Sequence, residues 1–244
     1  MVDPFAAHLC GAEGLAIGRA LEAEGRAHDA IAIRTRVIDE RLALAAARDG
    51  LEEVVLLGAG LDARAHRLSW PEALRFLECD HEALLAWKRV RLGELAARVG
   101  YRSLDLRDLA AVEALFAELG PRRRVVVLEG VVAYLEEPVA RALLGVIARA
   151  PGRARVIADV GGGAWSALFG RRIPATAERA GAPYRTRIAH GRRFFEEAGL
   201  HVEADVSLVA WDAARPEPRF RLPWITRLMP GVRDVARVID AVSA

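Results

Sequence analysis

The sequence predicts an α/β fold with a mostly parallel sheet, helices on both faces and an N-terminal helical cap. First, the aliphatic run 54–57 breaks directly into two glycines, as a buried parallel strand does before a ligand-binding turn. Second, further short strand-like runs follow, separated by segments of helical periodicity. Third, residues 201–208 alternate polar and apolar side chains, which is typical of an antiparallel strand late in the sheet.

Composition indicates one globular domain. The 244 residues are 53% hydrophobic and 28% charged, with a formal net charge of +2. A chain of this length can bury a sizeable core, and no linker divides it. We therefore expect one domain over 1–244, made of the cap (1–50), a cofactor-binding core (51–160), an insertion or lid (161–190) and the C-terminal part of the core (191–244).

Charge, cysteines and hydropathy argue against several classes of partner. The balanced charge predicts no nucleic-acid surface. Cys10 and Cys79 are too few for a disulfide framework and have no histidine at metal-ligand spacing, so we expect no metal site. No signal peptide or membrane-spanning run is visible, which predicts a cytoplasmic protein without a membrane partner. The oligomeric state is left open.

Two helices are predicted before the first strand, from about residue 12 to residue 48, with Gly50 as the stop. The predicted apolar stripe is Ile31, Ile38, Leu42 and Ala45. Because a simple nucleotide-binding domain begins with its first strand, these helices must pack across the sheet edge or roof the pocket. Arg34 and Arg36 cannot both share the stripe with Ile38.

The turn after the first strand suits a ligand. Gly58 and Gly60 lack a Cβ atom, so the backbone can turn sharply and present its N–H groups at the end of the strand. Together with Ala63 and Asp80 they also match the spacing of a dinucleotide-binding turn. This turn therefore predicts a nucleotide-like cofactor without deciding which one.

The second to fifth predicted strands each lead to a carboxylate. These strands are expected over 75–80, 101–104, 124–128 and 155–159, and their acids are Asp80, Asp105, Glu129 and Asp159. Parallel strands end at the same edge of a sheet, so the acids should line one rim together with the glycine turn. A single acid at such a position commonly caps a helix, but four beside a glycine turn indicate a binding site.

Helices are expected between the strands and after the fifth one. Their apolar faces are Leu85, Leu92, Leu95 and Val99, then Leu109, Val112, Phe116 and Leu119, then Val139, Leu143, Val146 and Ile147. A further helix is predicted over 193–199. Residues 232–244 fit a helix or a strand about equally. The irregular segment 161–190, with its aromatic, proline and arginine residues, is a candidate lid.

Five blocks resemble, in matching order, the leucine carboxyl methyltransferase family. They are RTRVID (34–39), LGAGLDAR (57–64), FLECD (76–80), DLRD (105–108) and LEGVVAYL (128–135). Members of this family are class I S-adenosylmethionine-dependent O-methyltransferases with a Rossmann-like fold, and some bacterial members modify polyketides and other natural products. The resemblance implies S-adenosylmethionine as cofactor and a small-molecule acceptor. The family usually closes with an antiparallel strand.

The resemblance also implies which residues bind the cofactor. They are Arg36, Gly58, Ala59, Gly60, Asp62, Arg64, Asp80, Asp105, Leu106 and Glu129. Arg36 would bind the methionine carboxylate, Asp80 the ribose hydroxyls and Glu129 the methionine amino group. Asp105 and Leu106 would bind the adenine.

The chemistry of transfer leaves the acceptor open. Methyl transfer from a sulfonium requires chiefly that donor and acceptor are held close together and that water is excluded. A carboxylate acceptor needs no general base near pH 7, whereas a phenol or alcohol does. Tyr134 and His190 are the candidates for a catalytic role. The alternatives are an NAD(P)-dependent oxidoreductase, a cofactor-binding protein without turnover, and a methyltransferase acting on protein C-terminal carboxylates.

Overall fold

A computed structural model describes residues 3–23, 29–161, 183–186, 188, 190–219 and 236–243. The strands, numbered along the chain, are β1 Glu53–Leu57, β2 Arg75–Asp80, β3 Gly100–Ser103, β4 Arg122–Leu128, β5 Gly152–Gly161, β6 Leu200–Ser207 and β7 Ala236–Ser243. The α-helices are α1 Ala6–Ala23, α2 Asp29–Arg48, α3 Arg64–Arg67, α4 Glu82–Leu92, α5 Leu109–Leu119, α6 Glu137–Ala148, α7 Gly191–Glu197 and α8 Leu208–Ala213. Short 3-10 helices cover Gly93–Arg98 and Val132–Tyr134.

The seven strands form one sheet in the order β3-β2-β1-β4-β5-β7-β6. Neighbours among β1 to β5 pair in parallel, whereas β7 pairs antiparallel with both β5 and β6. The expected α/β class with a mostly parallel sheet is therefore confirmed. The carboxyl ends of β1, β2 and β4 lie along one edge, which we call the rim.

The late strands differ in detail from the expectation. Strand β6 does form an antiparallel ladder, but it runs in the same direction as β1 to β5, and β7 is the strand that reverses. Residues 236–243 are thus a strand rather than a helix. They pair on both sides, between β5 and β6, and are almost all buried. The local pattern of this segment fits a helix or a strand, and hydrogen bonding on both edges stabilises the strand.

Helix α2 packs against one face of the sheet, in contact with β5, β7 and α8. Its buried side chains are Ala30, Ile33, Val37, Ile38, Leu42 and Ala45. The expectation that Ile31 joins this stripe is wrong, because its side chain in the first turn of the helix is 54% exposed. Helix α1 begins at Ala6, earlier than predicted, and contacts α4.

The hydrophobic core fills both faces of the sheet. One cluster joins α5, α6 and α7 to the sheet, and a second joins α2 and α8 to the opposite face. The expected faces of α5 and α6 pack into the first cluster, as predicted. The prediction for Leu95 is wrong, because α4 ends at Leu92 and Leu95, in the following 3-10 helix, is exposed. In the part of the chain that is described, no helix is long and apolar enough to cross a membrane.

Most of the candidate lid, 161–190, lies outside the described residues. Its described end, 183–186, lies against the 3-10 helix beside the rim: the backbone N–H groups of Arg185 and Thr186 both donate to the carbonyl of Ala133. The Thr186 hydroxyl donates to the carbonyl of Leu135. This part of the segment is therefore tied to the chain that follows β4.

Candidate functional site

The glycine turn has the geometry that its sequence predicts. Gly58 and Gly60 have φ angles of +70° and +50°, which side-chain-bearing residues rarely adopt. A Cβ atom at Gly58 would lie 2.6 Å from Cγ2 of Val131, whereas one at Gly60 would meet nothing within 4 Å. The N–H groups of Gly58 and Ala59 donate to the carbonyl of Cys79, at 2.8 and 3.0 Å. The turn is thus packed on its Gly58 side and open on its Gly60 side.

Asp80 lies beside this turn, at the end of β2. One carboxylate oxygen accepts a 2.7 Å hydrogen bond from the N–H of Gly60, and the other accepts one of the same length from the N–H of His81. The carboxylate is therefore at the carboxyl end of the sheet and held there by the backbone. Each of its oxygens can still accept a hydroxyl hydrogen bond, because a carboxylate has about four lone-pair sites.

Asp105 and Leu106 follow β3. Leu106 is buried, and its Cδ1 lies 3.7 Å from the position of a Cβ atom on Gly58, so it forms an apolar wall beside the turn. Asp105 is more exposed and is bound by Arg107 through the backbone N–H and the guanidinium. The hydrogen bonds from Arg107 lower the pKa of Asp105 to about 2.

Glu129 follows β4 and is held by three donors. Its Oε1 accepts from the Thr35 hydroxyl at 2.6 Å and from Nε of Arg34 at 3.2 Å, and its Oε2 pairs with Arg64. Burial by itself would raise the pKa of Glu129, but the two arginines and the hydroxyl outweigh it, so the pKa lies below its usual value. Glu129 is therefore ionised at neutral pH.

Asp159 shares Arg34 with Glu129. It lies inside β5, two residues before the end of the strand, because β5 is longer than predicted. Its carboxylate accepts from Nη1 of Arg34 at 3.2 Å and from the N–H of Gly130 at 2.5 Å. Burial raises the pKa of Asp159 despite the opposing effect of Arg34. The guanidinium of Arg34 thus bridges Glu129, after β4, and Asp159, within β5, with its side chain 24% exposed.

Arg64 lies beneath the glycine turn, with only 1% of its side chain exposed. Its Nε is 2.6 Å from the carboxylate of Asp62, its Nη2 pairs with Glu129, and its Nη1 is 3.9 Å from Asp39. Asp39 in turn accepts two hydrogen bonds from Arg67, at 2.6 and 2.9 Å. A continuous series of ion pairs therefore runs from α2 under the turn to the rim.

Arg36 does not lie with the other residues expected to bind the cofactor. Its guanidinium is 3.6 Å from Glu40 and lies over the ring of Trp211 in α8, and its side chain is 52% exposed. Two residues along a helix rotate a side chain by about 200°, so Arg36 and Arg34 face different neighbours. The structure brings Arg34, rather than Arg36, to the rim.

The two candidates for a catalytic role are in different surroundings. Tyr134 lies beside the rim with its ring centroid 5.0 Å from that of Tyr184. Burial and the neighbouring Tyr184 raise the pKa of Tyr134, so its hydroxyl remains protonated at neutral pH and can donate a hydrogen bond. His190 is exposed at the start of α7, where its carbonyl accepts from the N–H of Phe194.

Sequence reasoning missed the roles of Arg34, Thr35 and Tyr184. The first two could have been found from helical spacing, since Arg34 precedes the buried Ile38 by one turn and Thr35 is next to it. Tyr184 gave no signal, because its place beside Tyr134 depends on contacts far apart in sequence. Among the described residues, no group of three His, Cys, Asp or Glu side chains is arranged to hold a metal ion.

The charges beneath and beside the rim favour a cationic ligand. Three arginines and five carboxylates are joined by ion pairs: Arg34, Arg64 and Arg67 with Asp3, Asp39, Asp62, Glu129 and Asp159. The excess of carboxylates gives this cluster a net negative charge when all are ionised. Such a cluster attracts a cation and disfavours a phosphate.

Comparison with known proteins identifies the family. The model of the leucine carboxyl methyltransferase family matches residues 1–148. A relative from Parafrankia sp. (strain EAN1pec), named "Putative S-adenosyl-L-methionine-dependent methyltransferase", is 41% identical over 139 residues, which are 54% of this chain and 44% of that protein. The chain spans about half the length of such relatives, for example 60% of one from Mycolicibacterium vanbaalenii.

Solved structures support the fold. A methyltransferase-like protein from Thermobifida fusca YX has a TM-score of 0.66 at 15% identity, covering 87% of this chain and 81% of that one. The magnesium protoporphyrin IX methyltransferase of Synechocystis PCC 6803, solved with bound S-adenosylhomocysteine (SAH), has a TM-score of 0.55 at 15% identity and covers 96% of both chains. The fold is therefore the Rossmann-like fold of class I methyltransferases, and the chain belongs to the leucine carboxyl methyltransferase family.

Proposed function

We propose that this protein binds S-adenosylmethionine at the rim and transfers its methyl group to a carboxylate or hydroxyl oxygen of a small organic acceptor, such as a polyketide or other natural product. The observation that carries the proposal is the ionised Glu129 beside an open glycine turn, in a cluster with excess negative charge. S-adenosylmethionine carries a sulfonium and an ammonium, so it fits such a site. When bound, the cofactor supplies an activated methyl group.

The residues of the rim fit the parts of this cofactor. Three donors reach Glu129 from the described residues, one fewer than the lone-pair sites of a carboxylate, so it can accept one N–H of the methionine ammonium. Arg34, which is partly exposed, would bind the methionine carboxylate. Asp80 would accept the ribose hydroxyls, and Leu106 would pack against the adenine beside Asp105.

The same geometry disfavours a nicotinamide dinucleotide. A pyrophosphate is ordinarily bound by free N–H groups at the start of a full helix. Here the N–H of Gly60 donates to Asp80, and the helix that follows the turn, α3, has only four residues and carries a weak dipole. The carboxylates at the rim would also repel phosphates. The spacing of the glycines and Asp80 therefore fits an oxidoreductase, but the negative charge of the rim does not.

The acceptor would lie beside Tyr134 and Tyr184, whose rings could form one wall of its pocket. The Tyr134 hydroxyl, which stays protonated and is hydrogen-bonded to Tyr184, would reorient to donate to the acceptor oxygen. A carboxylate acceptor needs no general base and is the simpler case. The test must separate carboxylate from hydroxyl acceptors, and small molecules from the alternative of protein C-terminal carboxylates.

Calorimetry and radiolabel transfer test the proposal. The purified protein should release or absorb heat with S-adenosylmethionine and with SAH, but not with NAD. Tritiated methyl groups should then appear on small carboxylates or hydroxyl compounds in a panel that also contains peptides with a free C-terminus. Methyl esters release methanol in mild base and methyl ethers do not, which separates the two acceptor types. Binding without transfer to any acceptor would favour a cofactor-binding protein without turnover.

A further inference from the structure

We infer that Arg64 is a positioning residue, which holds Glu129 ionised and aimed at the rim from beneath the glycine turn without itself contacting the cofactor. This inference rests on the proposed function, because it concerns how Glu129 receives the methionine ammonium. It changes the role that the family resemblance gives Arg64, from a residue that touches the ligand to one that acts through another residue.

Burial removes Arg64 from the ligand. The side chain is 1% exposed and is among the largest fully buried side chains of the described residues. Its backbone is also fixed, since the N–H donates to Asp62 at 2.7 Å and the carbonyl accepts from the indole N–H of Trp70 at 2.8 Å. Arg34, by contrast, is 24% exposed and reaches Glu129 from the rim. A ligand can therefore contact Arg34 but not Arg64.

The charges around Glu129 make Arg64 necessary. Glu129 faces the guanidinium groups of Arg34 and Arg64 and the hydroxyl of Thr35, and the carboxylates of Asp39 and Asp159 are near enough to oppose its ionisation. Arg34 divides its hydrogen bonds between Glu129 and Asp159, whereas Arg64 provides the donor to Oε2. Without Arg64, burial and the carboxylates of Asp39 and Asp159 would raise the pKa of Glu129, and Arg34 would be the one arginine left to oppose them.

Removing Arg64 should therefore make ligand binding depend on pH. A Glu129 with a raised pKa is protonated as the pH falls, and a protonated carboxyl group binds an ammonium poorly. The affinity for SAH, which keeps the ammonium and lacks the sulfonium, should change less than twofold between pH 6 and pH 8 in the wild type. In Arg64→Gln it should be several-fold weaker at pH 6 than at pH 8, because loss of the guanidinium moves the pKa of Glu129 up toward this pH range.

Calorimetric titration with SAH at pH 6, 7 and 8 tests this inference. Arg67→Gln is the matched control, because Arg67 is one turn further along, binds Asp39 and does not touch Glu129, so its profile should stay flat. Glu129→Gln should bind weakly at every pH. The double variant Arg64→Gln/Glu129→Gln should be no weaker than Glu129→Gln alone, because Arg64 acts only through that carboxylate.

The outcomes separate this inference from the proposed function. No binding of SAH or S-adenosylmethionine by the folded wild type would refute the proposed function. Wild-type binding together with a flat profile in Arg64→Gln, or additive losses in the double variant, would overturn the role of Arg64 alone. If Arg64→Gln does not fold, Arg64→Lys carries the test. A single lysine ammonium cannot pair with both Asp62 and Glu129, so Arg64→Lys should show a pH dependence weaker than that expected of Arg64→Gln. A flat profile with unchanged affinity in Arg64→Lys would overturn the inference.

Discussion

Replacement of the two glycines of the turn by alanine should have unequal effects on stability. Both residues have positive φ angles, so each substitution forces an alanine into a left-handed conformation that costs about 1–2 kcal/mol. At Gly58 the new Cβ atom would also lie 2.6 Å from Cγ2 of Val131, a contact that requires the neighbour to move. At Gly60 the new atom would meet nothing within 4 Å.

The difference between the two variants isolates the steric term. Overpacking in a packed region costs about 1–3 kcal/mol, so Gly58→Ala should lose roughly 2–5 kcal/mol of unfolding free energy against about 1–2 kcal/mol for Gly60→Ala. At roughly 2–4 °C per kcal/mol for a chain of this size, the melting temperatures of the two variants should differ by several degrees. Adding Val131→Ala removes Cγ2, so the double variant Gly58→Ala/Val131→Ala should lose less stability than the sum of its single variants.

Urea denaturation followed by circular dichroism measures these free energies, and calorimetry with SAH measures binding by the folded fraction. Gly60→Ala should weaken SAH binding more than its small loss of stability explains, because the open space above Gly60 is where the ligand would lie. Equal losses of stability at the two glycines, or strict additivity with Val131→Ala, would refute the steric reasoning. Unchanged SAH affinity in Gly60→Ala would place the ligand elsewhere.

Three further predictions concern the rim and the buried charges. Arg34→Lys should weaken SAH binding at least tenfold, because a lysine cannot make the planar two-donor contact. Arg36→Lys should leave the calorimetric affinity within twofold of wild type. If Arg36→Lys instead weakens binding more than Arg34→Lys does, the methionine carboxylate is assigned to Arg36 again. Asp80→Ala should weaken the same binding by about 1.5–3 kcal/mol through lost charge-assisted hydrogen bonds, and an unchanged affinity would move the ribose to another residue. Burial raises the pKa of Glu78 to about 7 even beside Lys88. Ionisation of Glu78 therefore lowers the free energy of unfolding as the pH rises from 4.5, the ordinary pKa of a glutamate, through 7. Glu78→Gln should remove this part of the pH dependence in urea denaturation. If wild type and Glu78→Gln lose stability in parallel over that range, Glu78 is not the group responsible.

Much of the site could be predicted because its signals are local. Gly58 and Gly60 follow an aliphatic run, and strands of one direction necessarily bring their final acids to one edge. Asp80 and Glu129 therefore lie along the same rim in the structure, as the sequence predicts. The cluster of ion pairs around Glu129 does not follow from these local signals, since its arginines come from other parts of the chain.

The position of Arg36 differs from the expectation because helical phase decides the neighbour of a side chain. Arg34 and Arg36 are two residues apart in one block, yet one bridges Glu129 and Asp159 while the other lies over Trp211. The resemblance supplied the block, but only the packing of α2 against the sheet and α8 shows which guanidinium faces the rim.

The sequence by itself determined the α/β class, the glycine turn and the order of the acids, because each follows from short-range patterns and from the common direction of parallel strands. The tertiary structure alone decided that residues 236–243 form a strand between β5 and β6, and that Arg64 is buried beneath the turn rather than exposed to a ligand. Both outcomes depend on partners distant in the sequence: the strand is stabilised by hydrogen bonds to β5 and β6 on its two edges, and the guanidinium by Glu129, 65 residues along the chain, which only folding brings to it.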